Sequence, residues 1–138
     1  MTDNTDAADL EAIGNIIGDV HVVAFGEPVH DGHEALAMRN RLIRYGVEHI
    51  EFSAVALETC LASSKRLYDY VLGRTTETDA ALSDAFCYGF GDYPENLELI
   101  RWLHSYNVGK PPQQQVRLYG IDLSGQFSQP RFTPSKRF

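Results

Sequence analysis

The chain has 138 residues, 43% hydrophobic and 22% charged, the usage of an ordinary globular domain and not of a disordered or collagen-like segment. Its formal charge of −7 argues against nucleic-acid binding, which needs a basic face. No stretch approaches the roughly 20 apolar residues that span a bilayer, and two cysteines, Cys60 and Cys87, are too few for a disulfide scaffold.

The first residues are polar and carry Asp3 and Asp6, unlike a secretory signal peptide. A cytoplasmic protein without membrane association is the expectation. Residues 7–17 place Leu10, Ile13 and Ile17 at helical spacing, stopped by Gly18 and Asp19. Residues 20–25, Val-His-Val-Val-Ala-Phe, read as a strand buried on both faces, as in a parallel sheet. Gly26 begins the turn that leaves it. Asp31 and Glu34 have the spacing of a capping box. A helix is predicted from Asp31, with Ala35, Leu36, Met38, Leu42, Ile43 and Val47 recurring at three- and four-residue steps. Gly46 weakens its later part.

Residues 54–58 read as a second buried strand and 61–72 as a helix ended by Gly73. A short helix is predicted over 75–86, introduced by Thr75 or Thr76. A glycine- and aromatic-rich loop follows from Cys87 to Tyr93. Pro94 suits the first turn of a helix bearing Leu97, Ile100, Leu103 and Tyr106. Residues 116–121 are a third strand candidate, ending at Asp122. The remaining residues, 124–138, show no periodicity. They hold Arg131, Lys136 and Arg137 and no acid, so they read as an irregular basic tail.

Helices alternating with short apolar strands predict an α/β fold: a parallel sheet of about three strands with flanking helices. Three parallel strands leave a sheet edge exposed, through which the chain would form a homo-oligomer. In such sheets ligands bind beyond the carboxyl ends of the strands. Each predicted strand delivers ionisable residues there: Glu27 and His30 after the first, Glu58 after the second, Asp122 after the third.

Glu27 and His30 share one short loop. A carboxylate bonded to an imidazole fixes its tautomer and raises its basicity, as a general base requires. Glu58 ends an apolar strand, where a carboxylate is costly unless paired or placed at a site. Arg39 shares a helix face with apolar residues and calls for an acidic partner or an anionic ligand. Each has a plainer alternative: solvated loop residues for Glu27 and His30, a structural ion pair for Glu58, and an extended reach to solvent for Arg39. His33, three residues after His30, admits a metal reading only if both lie on one helix face. No third histidine or cysteine completes a tetrahedral set. Glu27, His30 and Glu58 remain an alternative set of ligands for a divalent ion. His21 and His49 read as structural or surface residues, and His104 as the wet edge of its helix. Cys60 reads as a small apolar filler. A phosphate-cradling glycine loop and a Gly-x-Ser-x-Gly elbow are both missing, so water activation fits better than a serine nucleophile.

Five segments carry a resemblance: residues 26–34 (GEPVHDGHE), 39–45 (RNRLIRY), 55–58 (VALE), 99–107 (LIRWLHSYN) and 116–122 (VRLYGID). In this order and spacing the sequence resembles the erythromycin esterase family. The resemblance covers residues 20–123 and marks residues 1–123 as the N-terminal part of an esterase-like α/β domain, members of the family being several hundred residues long. It implies hydrolysis of a carboxylic ester such as a macrolide lactone, hence antibiotic resistance, without an obligatory metal. By resemblance His30 is the base that activates water, Glu27 its partner carboxylate, Arg39 the arginine of the first helix after that motif and Glu58 the carboxylate ending the next strand. His33 and Asp122 are the expected substrate contacts. The expected partner is a small-molecule ester. The expected alternatives are a metal-dependent hydrolase using the same cluster, or a non-catalytic remnant that self-associates.

Overall fold

A computed structural model describes residues 8–26, 30 and 32–123. Its elements run α1 (Ala8–Ile17), α2 (His33–His49), β1 (Ala54–Cys60), α3 (Ser64–Val71), α4 (Asp79–Asp84), α5 (Pro94–Asn107) and β2 (Arg117–Asp122), with a 3-10 turn at Phe90–Asp92 between α4 and α5. The strands pair in parallel, Ala54 with Arg117 through Leu57 with Gly120; after a register shift, Cys60 pairs with Asp122. This is an α/β architecture, with two strands among the described residues where the sequence predicts three.

The missing one is the run 20–25. It is irregular and pairs with nothing in the sheet. Val22 is 83% exposed and Val20 49%. A strand needs a partner backbone at hydrogen-bonding distance, and hydropathy does not report one. The strands that do form also depart from the sequence reading. Their burial alternates along the chain, so one face is packed and the other bare. Val55, Leu57 and Leu118 point inward, while Ala56, Tyr119 and Ile121 point out.

Helices α3 and α5 cover the packed face. Leu67 and Val71 of α3 and Leu99, Ile100 and Leu103 of α5 are wholly buried in the same core. Each such side chain contributes about 1.5–3 kcal/mol on burial. Pro94 opens α5, where its fixed φ suits the first turn and its missing N–H costs nothing. Gly73 ends α3 at a φ of 69°. There its N–H donates to Tyr70 and that of Arg74 donates to Asp69, a left-handed cap that glycine adopts most readily. The α4 cap is Thr78, whose Oγ1 accepts from the Ala81 N–H at 3.3 Å, later than the threonines the sequence favours. Helix α2 has Gly32 at its N-cap and no side-chain cap; the Asp31 predicted to cap it lies outside the described residues. The helix passes through Gly46 because that position is pressed against Phe52, 3.0 Å from where a Cβ would stand.

Asn107 ties the second half together. Its Nδ2 donates to the carbonyls of Val71 at 3.0 Å and Val116 at 2.8 Å. Its Oδ1 accepts the Val116 N–H at 2.8 Å. One buried amide thereby joins the ends of α3 and α5 to the start of β2. Asn107→Ala orphans three buried backbone groups, so it is expected to cost about 3 kcal/mol. Urea unfolding checks this as a lower midpoint at unchanged slope.

Candidate active site

Parallel pairing sends Glu58 and Asp122 to the same end of the sheet. Beside them runs a cavity of about 750 Å3, within the size range of small-molecule sites. It touches all five residues from Ala54 to Glu58. Successive strand residues face opposite ways, so contact with five in a row places the cavity along the edge of β1 that β2 leaves open. Its far wall is the irregular segment 21–26 together with Leu36, Leu42 and Ile43 of α2. The lining is chiefly apolar, with His21, His30, Arg39, Glu58, Tyr93 and Asn96 as polar exceptions.

Of the candidates, His30, Arg39 and Glu58 therefore share this one cavity. Glu27 lies outside the described residues. His33 and Asp122 do not line the cavity. His33 opens α2 and pairs through Nδ1 with Glu95, a nearly buried carboxylate in the first turn of α5. The Asp122 carboxylate accepts a hydrogen bond from the Tyr88 hydroxyl. Glu58 stands on the bare face of β1; the desolvation cost expected of it is absent because only one face of the sheet is covered. Among the described residues no three His, Cys, Asp or Glu side chains stand close enough to hold a metal ion.

Arg39 is held by two nearly buried amides. Its Nη2 donates to Asn40 Oδ1 at 2.9 Å and to Asn96 Oδ1 at 2.7 Å. Asn40 is anchored in turn by donating to the Glu95 carbonyl at 2.7 Å. Asn96 donates to the Phe90 carbonyl at 2.7 Å, and the Phe90 ring lies 5.3 Å from that of His30. Sequence reading passed over Asn40, Glu95, Asn96 and Phe90. The available signal was an asparagine on an otherwise apolar helix face, since a buried amide must find partners.

The two cysteines are bonded to each other, Cys60 to Cys87 across 27 residues with a Cα separation of 5.7 Å. Cys60 is thus a tether and not the free apolar filler the sequence implies; spacing alone does not show that two distant cysteines meet. The bond fixes the base of the 87–93 loop to the end of β1, next to Glu58. The Cys87 N–H also donates to Thr59 Oγ1 at 2.9 Å. Tyr88 follows at a φ of 61°, a left-handed conformation that costs a tyrosine about 1–3 kcal/mol and persists only when its surroundings impose it. His104 is also more embedded than expected, with Nδ1 2.7 Å from the Tyr70 carbonyl and its ring stacked on that of Tyr70.

A model of the erythromycin esterase family matches residues 47–131. The chain belongs to the erythromycin esterase family. It is 31% identical over 122 residues to erythromycin esterase type II of Escherichia coli, covering 88% of this chain and 27% of that one. To erythromycin esterase type I of Escherichia coli it is 30% identical over 118 residues, covering 86% of this chain and 28% of the other. A crystal structure of a Bacillus cereus protein superposes with a TM-score of 0.75 at 28% identity, over 85% of this chain and 28% of that protein. The chain thus spans little more than a quarter of each relative. No helix among the described residues is long and apolar enough to cross a membrane.

The disulfide closes a loop long enough for its removal to cost about 3–4 kcal/mol by the chain-entropy relation. The double replacement Cys60→Ser, Cys87→Ser is expected to lower unfolding stability by that amount. Reductant should destabilise the unaltered protein equally and leave the double variant unaffected, as read by denaturant titration.

Proposed function

We propose that this chain carries the water-activating part of a carboxylic ester hydrolase. The observation that supports the reading is the shared cavity: His30, Arg39 and Glu58, distant in sequence, line one mostly apolar chamber. Family membership points the same way, toward an ester as substrate.

In this reading the His30 imidazole accepts a proton from water as the water oxygen attacks the ester carbonyl. The carbonyl π electrons move to oxygen, and Arg39 stabilises the resulting oxyanion. Glu58 orients the water. Glu27 holds the imidazole in the tautomer whose free nitrogen accepts the proton. When the tetrahedral intermediate collapses, the carbon–oxygen bond to the alcohol breaks. The proton held by His30 passes to the departing alkoxide, leaving a carboxylic acid and an alcohol. No resident metal takes part in this scheme.

The curated relatives are named for erythromycin, so a macrolide lactone is the substrate we propose, with macrolide resistance as the consequence. The apolar lining, including Val22, Phe25, Leu42 and Ile43, suits the hydrocarbon face of such a ring. His33 and Asp122 are assigned to the outer contacts of a substrate larger than the cavity.

His30→Ala should lower the hydrolysis of p-nitrophenyl acetate and of erythromycin by the complete chain about 10²–10⁴-fold, with an unchanged far-ultraviolet circular dichroism spectrum. Turnover retained in that variant overturns the mechanism. Arg39→Lys should cost roughly a hundredfold in kcat, since an ammonium cannot reproduce the guanidinium fork. Dialysis against EDTA should leave steady-state rates unchanged.

A further inference from the structure

Asn96 has two partners that belong to different parts of the cavity. Its amide oxygen accepts a hydrogen bond from Arg39 Nη2 at 2.7 Å, and its amide nitrogen donates to the Phe90 carbonyl at 2.7 Å. The residue is 4% exposed and stands in the first turn of α5, behind Pro94. Its helix is anchored by Leu99, Ile100 and Leu103, all wholly buried. Arg39 is on α2 and Phe90 in the 3-10 turn, and this one amide bonds to both.

We propose that Asn96 is a positioning residue that sets the arginine and the histidine of the cavity in one frame. On one side it turns the Arg39 guanidinium, which Asn40 also grips at 2.9 Å. On the other it fixes Phe90, whose ring packs 5.3 Å from that of His30. Each amide group meets the complementary kind of partner, an N–H to its oxygen and a carbonyl to its nitrogen, so the side chain has one orientation that satisfies both. A leucine of similar volume would fill the space and hold neither. The inference rests on the ester-hydrolase reading for its catalytic meaning, and on the two hydrogen bonds for its geometry.

The test separates these. The complete chain is labelled for NMR, and two signals are followed: the Nη resonances of Arg39, which sharpen when hydrogen bonds slow rotation of the guanidinium, and the His30 Hε1 shift, which carries the ring current of Phe90. In Asn96→Ala the Arg39 signals should broaden and the His30 shift should move by tenths of a part per million. Asn96→Asp keeps the acceptor for Arg39 and removes the donor to Phe90, so it should move His30 and leave Arg39 sharp. A loss of kcat of about tenfold to a hundredfold should accompany Asn96→Ala, the range that a misplacement of about 1 Å produces. If both signals stay as in the unaltered protein in either variant that folds, the proposal is overturned whatever the activity. If the signals move as stated while the unaltered chain hydrolyses no ester, the positioning stands and the hydrolase reading fails.

Discussion

Everything in this structure depends on the parallel pairing of β1 with β2. Parallel neighbours cannot be joined by a hairpin; the chain must cross back over the sheet before the second strand begins. Here the crossover holds α3, α4, the 3-10 turn and α5. The core helices and the loop that reaches the cavity are both parts of that single connection. Register then decides which side chains meet. With Ala54 opposite Arg117 and Cys60 opposite Asp122, the end of β1 and the end of β2 lie side by side. The Asp122 carbonyl accepts the Leu61 N–H at 2.9 Å, so the chain leaving β1 is bound to the chain leaving β2.

The loop from Cys87 to Tyr93 is held to that end by unrelated means. A disulfide anchors its first residue, the Tyr88 hydroxyl reaches Asp122, and Asn96 holds the Phe90 carbonyl. Gly91 belongs to the same assembly: a Cβ there would stand 2.1 Å from the Ser83 carbonyl oxygen, closer than any real contact, so the turn packs on α4 only because the side chain is a hydrogen. This concentration of constraint accounts for the left-handed Tyr88. Its backbone cost is offset by the contacts on either side that hold the loop in place.

One face of the sheet is bare among the described residues. Parallel strands are ordinarily covered on both faces, yet Tyr119 and Ile121 are 39% and 62% exposed on β2. The chain matches only 27% or 28% of its relatives' length, which accords with a sheet packed by its own crossover on one face and bare on the other. Among the described residues no strand pairs with the other edge of β1, which borders the cavity.

Much of the local structure was legible from the residues. Apolar spacing located α1, α2, α3 and α5, Pro94 and Gly73 marked a start and a stop, and the strands at 54 and 116 were visible as apolar runs, because these signals live within a few residues of one another. The strand at 20–25 was misread for the same reason: its apolar composition is local, but its lack of a partner is not. Placement of His30, Arg39 and Glu58 around one chamber, the union of Cys60 with Cys87, and the grip of Asn96 on both Arg39 and Phe90 were decided only by the tertiary structure. The disulfide joins residues 27 positions apart and the Asn96–Arg39 bond residues 57 apart, and no short-range pattern encodes which distant atoms will share a hydrogen bond or a disulfide.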